Sequence, residues 1–245
     1  MNATNHLRSQ LDGRTVLIVG GTSGIGLAAA IQAKAAGAEV VVVGSNRERA
    51  KEVAAEHNLA SWRAADVTQP EAIAAALADI PRVDHLVMLA GSFALGKVLE
   101  ADMAQLRRPF DERIWGAIHT LRALGDRLAV DGSVTFVSGE LSDRPSAGAA
   151  MLGAALTAME SLARSLALEL APRRFNTVSP GPIDTLLLDK TMGDGRDAYV
   201  ESRTATLPLH RFGTAEEAGA AVVFLMVNRW MNGATLNIDG GSRFV

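Results

Sequence analysis

Short apolar runs alternate with longer segments of helical periodicity along most of the chain. Runs such as T-V-L-I-V at 15–19 lack polar–apolar alternation, which is typical of strands buried on both faces. Between the runs, apolar residues recur at helical spacing, for example at Ile114, Ile118 and Leu121. The pattern predicts strands at 15–19, 39–43, 61–64, 85–89, 134–137, 176–178 and 235–238, and helices at 25–36, 47–56, 70–77, 109–129, 151–170 and 214–226.

Strands that alternate with helices predict a parallel sheet covered by helices on both faces. Right-handed crossovers then favour an α/β, single-domain, doubly wound Rossmann-type fold of about seven strands in the order 3-2-1-4-5-6-7. We expect one domain over residues 11–245, a flexible arm at 1–10 and a substrate lid at about 186–213. In such folds ligands bind beyond the carboxyl ends of the strands, so the loops there form the candidate site.

Composition excludes several other classes of function. The chain of 245 residues is 48% hydrophobic with a formal charge of −3, too small a charge for electrostatic binding of nucleic acid or an acidic membrane. The absence of cysteine excludes disulfides and thiolate metal sites, and we expect no metal. No apolar run approaches the roughly 20 residues that span a bilayer, and the polar start lacks the apolar core of a signal peptide. We therefore expect a cytoplasmic protein.

A glycine-rich turn, G-G-T-S-G-I-G at 20–26, joins the first predicted strand to the first predicted helix. Glycines in this position allow a tight turn and a close approach of the backbone to a pyrophosphate, whose charge the helix N-terminus stabilises. The context of strand, turn and helix therefore predicts dinucleotide binding rather than an ordinary tight turn.

The same turn resembles the T-G-x-x-x-G-I-G fingerprint of the short-chain dehydrogenases/reductases. The resemblance extends over nearly the whole chain, through L-A-G at 89–91, S-L-A-L-E-L-A-P at 165–172, N-T-V-S-P-G-P-I-D-T at 176–185 and I-D-G-G at 238–241. It implies a nicotinamide cofactor that binds along the carboxyl edge of the sheet. The cofactor-binding residues that we expect are Gly20, Thr22, Ser23, Gly24, Ile25, Ser45, Asn46, Arg47, Asp66, Val67, Ala90, Gly91, Ser138, Pro180, Gly181, Ile183 and Thr185.

The end of the second strand, G-S-N-R at 44–47, favours NADP(H) over NAD(H). Sites for NAD place an acidic residue there for the ribose 2′-hydroxyl, whereas Arg47 offers a cation to a 2′-phosphate. A structural alternative exists, because Ser45 and Glu48 have the spacing of a capping box. Thr68 and Glu71 have the same spacing, which offers a second explanation for the aspartate at position 66.

The catalytic set of the resembled family is absent. Typical members use Asn, Ser, Tyr and Lys, in which the tyrosine donates a proton to the substrate oxygen and the lysine lowers its pKa. Aligned on R-S-L-A-L-E-L, the tyrosine falls on Leu152, the lysine on Leu156 and the serine on Gly139. The asparagine falls on Arg113. Tyr199 is the only tyrosine, and no lysine lies between Lys97 and Lys190.

The remaining candidates for the chemistry are Glu140, Asp143 and Arg113. A carboxyl group beside an apolar nicotinamide face has a raised pKa and can act as an acid, and Arg113 can orient that acid or bind an anionic substrate. We expect Glu140 and Arg113 to form a pair, with Asp143 as the substitute. The alternatives are a solvated loop for the carboxylates and a helix-surface ion pair with Asp111 or a neighbour of Glu112 for the arginine.

These residues predict an NADP(H)-dependent reductase with an atypical site that reduces a C=O or C=N group of a small molecule. An iminium substrate needs no proton donor, because it arrives protonated, whereas a ketone needs an acid from the same loop or from water. Two alternatives are a scaffold repurposed for a non-redox reaction and an inactive NADP(H)-binding regulator. The two long helices and the C-terminal segment, which resemble interfaces of the family, predict a homotetramer or homodimer.

Overall fold

The computed structural model describes residues 10–245, and the predicted arm at 1–10 lies, apart from Gln10, outside the described residues. Seven parallel strands form the main sheet in the order β3-β2-β1-β4-β5-β6-β9, which confirms the predicted fold class and strand order. The strands are β1 Thr15–Val19, β2 Glu39–Gly44, β3 Ser61–Ala64, β4 Val83–Met88, β5 Leu128–Val137, β6 Arg174–Pro180 and β9 Thr235–Ile238. Two short strands, β7 Ile183–Asp184 and β8 Gly213–Thr214, pair separately.

Helices cover both faces of the main sheet. They are α1 Gly24–Ala35, α2 Arg47–Glu56, α3 Pro70–Leu77, α4 Met103–Phe110, α5 Gly116–Leu124, α6 Ala150–Glu169, α7 Leu186–Met192, α8 Arg196–Thr206 and α9 Ala215–Val227. Among residues 10–245, no helix is both long and apolar enough to cross a membrane.

Two hydrophobic clusters explain why the strands are apolar throughout. Leu17 and Val19 of β1 pack into the cluster on one face, whereas Val16 and Ile18 pack into the cluster on the other. Successive side chains of a strand point to opposite faces, so a strand with helices on both sides must be apolar at every position. Phe136 of β5 belongs to the first cluster, and its ring centroid lies 6.1 Å from that of Phe175 on β6.

The predicted helix at 109–129 is wrong in both of its bounds. Helix α4 already begins at Met103, a π-helical turn follows at Asp111–Trp115, and α5 ends at Leu124. Gly125 takes a φ of +52°, and β5 begins only three residues later, at Leu128. Leu128 and Ala129 continue the helical spacing in the sequence by coincidence, because they face the core from a strand.

Because all seven strands are parallel, the loops after them meet at one edge of the sheet. The turn after β1 contacts the end of β4, and the loop after β5 contacts α6 and the C-terminal segment. This edge therefore gathers segments that are far apart in the sequence and defines the candidate site.

Candidate functional site

The turn after β1 lies directly on the backbone that follows β4. Gly20 has a φ of +87°, and a Cβ atom there would lie 2.6 Å from the backbone nitrogen of Ala90. A Cβ on Gly26 would overlap the carbonyl oxygen of Gly20. Any larger residue would force the turn away from β4, so glycine is required by both conformation and space at this point.

Helix α1 begins inside this turn and leaves room for an anion. Ser23 is the N-cap residue in an extended conformation, and its side chain makes no capping hydrogen bond. A Cβ on Gly24 would lie 3.3 Å from Cγ2 of Thr185, so the turn also contacts the segment after β7. The uncapped N-terminus and the glycine surface fit a dinucleotide pyrophosphate.

Arg47 follows the end of β2, and the capping box of Ser45 and Glu48, the structural alternative for this segment, does not form there. The N-cap of α2 is Asn46, whose side chain accepts a hydrogen bond from the Arg49 backbone at 2.9 Å, so the box of Ser45 and Glu48 is not formed. Arg47 is exposed, and its guanidinium carbon lies 5.2 Å from the centroid of the Trp62 ring. This stacking orients the guanidinium without neutralising it.

The capping box of Thr68 and Glu71, the alternative explanation for Asp66, is also absent. Asp66 Oδ1 accepts hydrogen bonds from the backbone nitrogen and Oγ1 of Thr68, at 2.9 and 2.8 Å, and the N-cap of α3 is Gln69. Asp66 therefore shapes its own turn and remains exposed, while Val67 is buried against α5. A side chain–backbone turn of this kind outcompetes the cap because its partner is only two residues away.

The positions expected for the tyrosine and lysine form an apolar floor. Leu152 and Leu156 are both buried on α6, with exposed fractions of 0% and 4%. A Cβ on Gly139 would lie 3.5 Å from Cδ1 of Leu156, so the loop after β5 packs directly over this floor. The floor offers neither a proton nor a charge.

Arg113 lies on the π-helical turn between α4 and α5 and is only 6% exposed. Its Nη2 donates a hydrogen bond of 3.0 Å to the carbonyl oxygen of Ser92, but Nε and Nη1 have no hydrogen-bond partner among the described residues. Burial lowers the pKa of Arg113 to about 10, against the opposing effect of Glu112, whose Oε2 lies 3.9 Å from Nη1. The side chain is still protonated near neutral pH.

Glu112 is occupied by other partners. Its Oε2 accepts hydrogen bonds from the backbone nitrogen and the hydroxyl of Ser92, at 2.6 and 2.7 Å. Its Oε1 accepts one of 2.7 Å from Nε of Arg108. Burial alone would raise the pKa of Glu112, but these hydrogen bonds outweigh burial and hold the pKa below its usual value. Glu112 therefore only partly balances the charge of Arg113.

Among the described residues, Glu140 makes no hydrogen bond or ion pair with Arg113 and is held by two other side chains. Both carboxylate oxygens of Glu140 lie 3.2 Å from Nη2 of Arg203 on α8, and Ser242 donates its hydroxyl to Oε2 at 2.6 Å. Asp143 is exposed at the end of the same loop. The sequence could not reveal this arrangement, because the partners of Glu140 lie 63 and 102 residues away.

Glu160 is a site residue that the sequence analysis missed. Its Oε1 accepts hydrogen bonds from the hydroxyls of Ser138 and Ser142, at 2.7 and 2.9 Å. Ser138 also donates to the Leu156 carbonyl oxygen at 3.3 Å, so its hydroxyl is directed at α6. The only signal in the sequence is spacing, since position 160 lies one helical turn beyond position 156 on the same face.

The predicted lid region, about 186–213, follows β7, contains α7 and α8, and ends at the first residue of β8. Arg196 at the start of α8 binds Asp184 of β7 at 2.5 Å and Asp189 of α7 at 2.6 Å. Tyr199 packs edge-on against Phe212, with 6.2 Å between the ring centroids. The only tyrosine of the chain is thus engaged within this region rather than on α6.

A surface cavity of about 320 Å³ lies away from this site, lined by Val130, Asp131, Pro172, Arg174 and Arg229. It is near the amino ends of β5 and β6. Arg174 donates to four backbone carbonyl oxygens there, between Leu225 and Met231, and so serves as a structural clamp. The carboxyl edge of the sheet remains the candidate site.

Comparison with known proteins decides the family. A family model described as enoyl-(acyl carrier protein) reductase matches residues 19–243. A peroxisomal 2,4-dienoyl-CoA reductase from Danio rerio is 30% identical over 259 residues, which cover 99% of this chain and 86% of that relative. The chain belongs to the short-chain dehydrogenase/reductase family.

Solved structures of short-chain dehydrogenases/reductases agree with this membership. A short chain dehydrogenase/reductase family protein is 32% identical, with a TM-score of 0.87 over 96% of this chain and 100% of the other. A small-chain dehydrogenase solved in complex with NADPH is 30% identical, with a TM-score of 0.83 over the same shares of the two chains. The relatives are oxidoreductases that keep this architecture.

We predict that Gly20→Ala destabilises the fold more than Gly13→Ala. Both glycines have a positive φ, +87° and +68°, but nothing lies within 4 Å of a Cβ on Gly13. Backbone strain of about 1 kcal/mol applies to both, and overpacking adds about 1–3 kcal/mol at Gly20 only. Urea unfolding measures the two losses, and equal losses would show that the contact with Ala90 is not a tight one.

Proposed function

We propose that the protein is a cytoplasmic, NADP(H)-dependent short-chain reductase that reduces a C=O or C=N group of a small molecule without a Tyr–Lys pair. The observation that carries this proposal is the glycine turn after β1, which contacts Thr185, at the edge of the sheet where Gly139 packs on the buried Leu156 and close to the carbonyl oxygen of Pro180. The turn supports binding of a dinucleotide, while the apolar floor supports hydride chemistry that obtains its proton elsewhere.

The residues present fit the cofactor of this family. The turn at 20–26 would hold the pyrophosphate, Asp66 and Val67 the adenine, and Ala90 with Gly91 the ribose. When bound, the cofactor supplies a hydride equivalent to the substrate carbon. Residues 180–185, with Ile183 and Thr185, would orient the nicotinamide, and the buried leucines of α6 exclude water from its neighbourhood.

A preference for NADP(H) is supported by the surroundings of Arg47. The segment from the carboxyl end of β2 into the first turn of α2 carries no aspartate and only one glutamate, Glu48. Among residues 10–245, Arg47 makes no salt bridge, and its guanidinium carbon lies 5.2 Å from the centroid of the Trp62 ring. A preoriented and unneutralised guanidinium is suited to the 2′-phosphate, which it can bind through two hydrogen bonds.

Replacing Arg47 with alanine should weaken NADPH binding by roughly tenfold or more and NADH binding little, because hydrogen bonds to charged groups contribute about 1.5–3 kcal/mol. Titration of protein fluorescence with each nucleotide measures both constants. Lys51→Ala removes a charge one turn further along α2 and should leave the ratio unchanged. A wild-type preference for NADH, or equal weakening of both nucleotides, would contradict NADP(H) specificity.

The charge or proton partner of the reaction is proposed to come from Glu140, Asp143 and Arg113. Glu140 is tied to the lid helix α8 through Arg203, so an opening of that ion pair would free its carboxylate toward the cleft. A carboxylate there would stabilise an iminium cation, and a protonated carboxyl would serve a ketone. Arg113 is the buried cation that rests on Gly91 in the loop after β4.

Glu140→Gln and Arg113→Ala should each lower turnover by at least roughly tenfold with little change in NADPH affinity, because general acid–base and charge effects contribute about 10²–10⁴-fold. NADPH oxidation over a panel of ketones and cyclic imines provides the assay. Glu201→Gln makes the same replacement at an exposed position of α8 and should keep normal turnover. Normal turnover in both site variants would reject the assignment. In a complementary test, Gly139→Ser, Leu152→Tyr and Leu156→Lys together should bring ordinary ketone reduction.

We also propose that the protein assembles as a homotetramer or homodimer. Large apolar side chains are exposed on the helices expected at the interface, Trp115 beside α5 and Leu168 on α6, and Phe244 is exposed in the C-terminal segment. Burial of such side chains is the usual driving force for association. Sedimentation at micromolar concentration should give a mass of two or four times 25.7 kDa, and a stable monomer would contradict this expectation.

A further inference from the structure

We infer that the substrate carries a carboxylate beside its reducible C=O or C=N group, and that Arg113 binds this carboxylate. The inference rests on the proposed reductase function and adds the chemical class of its substrate. It depends on three features of Arg113, namely its unused donors, its only partly balanced charge and its place beside the residue that the cofactor turn contacts.

Most of the hydrogen-bonding capacity of Arg113 is unused. A guanidinium has five N–H donors in a planar fork, and the one hydrogen bond of this side chain to residues 10–245 joins Nη2 to the carbonyl oxygen of Ser92. Nε and Nη1 are buried and unpaired among the described residues. Nη1 and Nη2 form one edge of the fork, and such an edge matches the two oxygens of a carboxylate, since Nη2 has a second N–H besides the one that Ser92 accepts.

The charge of Arg113 is only partly balanced by the carboxylate near it. The nearest carboxylate, Glu112, lies 3.9 Å from Nη1 but accepts hydrogen bonds from Ser92 and from Arg108 at 2.7 Å. Arg108 already balances the charge of Glu112. A buried cation without a matched anion is unfavourable, so an anionic ligand would complete this arrangement rather than compete with it.

Arg113 lies beside the cofactor turn. A Cβ on Gly91 would lie 2.6 Å from the guanidinium carbon, so this glycine allows the side chain to rest on the backbone after β4. The preceding residue, Ala90, is the one that Gly20 contacts. Arg113 and the cofactor turn therefore contact adjacent residues of the chain, Gly91 and Ala90.

The chemistry around Arg113 favours a carboxylate over a phosphate. One guanidinium matches the single negative charge of a carboxylate, whereas a phosphate dianion would retain charge next to Glu112. The leucine floor suits the carbon body of a small organic acid. Residues 91–97 form neither helix nor strand, and Gly91 packs on the guanidinium, so the inference requires that this segment move to admit the carboxylate.

The test compares carboxylates with their neutral amides in the presence of saturating NADP⁺. Calorimetric titration of the wild type with benzoate and isobutyrate, against benzamide and isobutyramide, should give at least about tenfold tighter binding of the acids. Arg113→Gln should abolish this preference and Arg113→Lys should keep part of it. Arg107→Gln, which removes an exposed charge from α4, should leave it unchanged.

Two results would overturn the inference, namely equal binding of acid and amide by the wild type, or a preference that persists in Arg113→Gln. If the variants at this buried position do not fold, a crystal structure of the wild type with NADP⁺ and benzoate decides. The carboxylate should lie on the edge of the Arg113 guanidinium that Nη1 and Nη2 form, and binding elsewhere rejects the assignment. Failure to bind NADP⁺ would reject the proposed reductase itself, whereas NADP⁺ binding without preference for carboxylates rejects only this inference.

Discussion

The close approach of the turn after β1 to the backbone after β4 is the contact on which the site depends. With 2.6 Å between a Cβ on Gly20 and the nitrogen of Ala90, the two segments touch backbone to backbone. This contact fixes where α1 begins and how its N-terminus faces the segment after β7. It also sets the position of Gly91 and thereby of Arg113. One steric constraint thus joins the cofactor end of the site to its only deeply buried cation among the described residues.

The electrostatics of the site follow from what the floor lacks. Leucines at positions 152 and 156 lower the local dielectric and strengthen any charge interaction nearby. In such surroundings a single buried guanidinium has more influence than it would at a surface. The burial that lowers the pKa of Arg113 to about 10 is the same burial that makes an anionic partner favourable.

Carboxylates at this edge of the sheet mainly connect loops to one another. Glu140 ties the loop after β5 to α8 and to the C-terminal segment through Arg203 and Ser242. Glu160 ties the same loop to α6 through two serine hydroxyls. Each carboxylate is shared by segments that are distant in sequence, so movement of α8 would change the surroundings of Glu140 directly.

Local pattern alone was enough for the fold class, the strand order and the cofactor turn, because burial on both faces of a sheet and a glycine turn before a helix are written in neighbouring residues. It was also enough to show that positions 152 and 156 offer no tyrosine or lysine. Tertiary structure decided the rest. The segment predicted as one helix at 109–129 ends in a strand, because Leu128 pairs with Val83. The N-cap of α2 is Asn46 and not Ser45. Glu140 forms its ion pair with Arg203. In these cases the outcome depends on which groups meet in the folded chain. The residues next to each group in the sequence do not identify its partner.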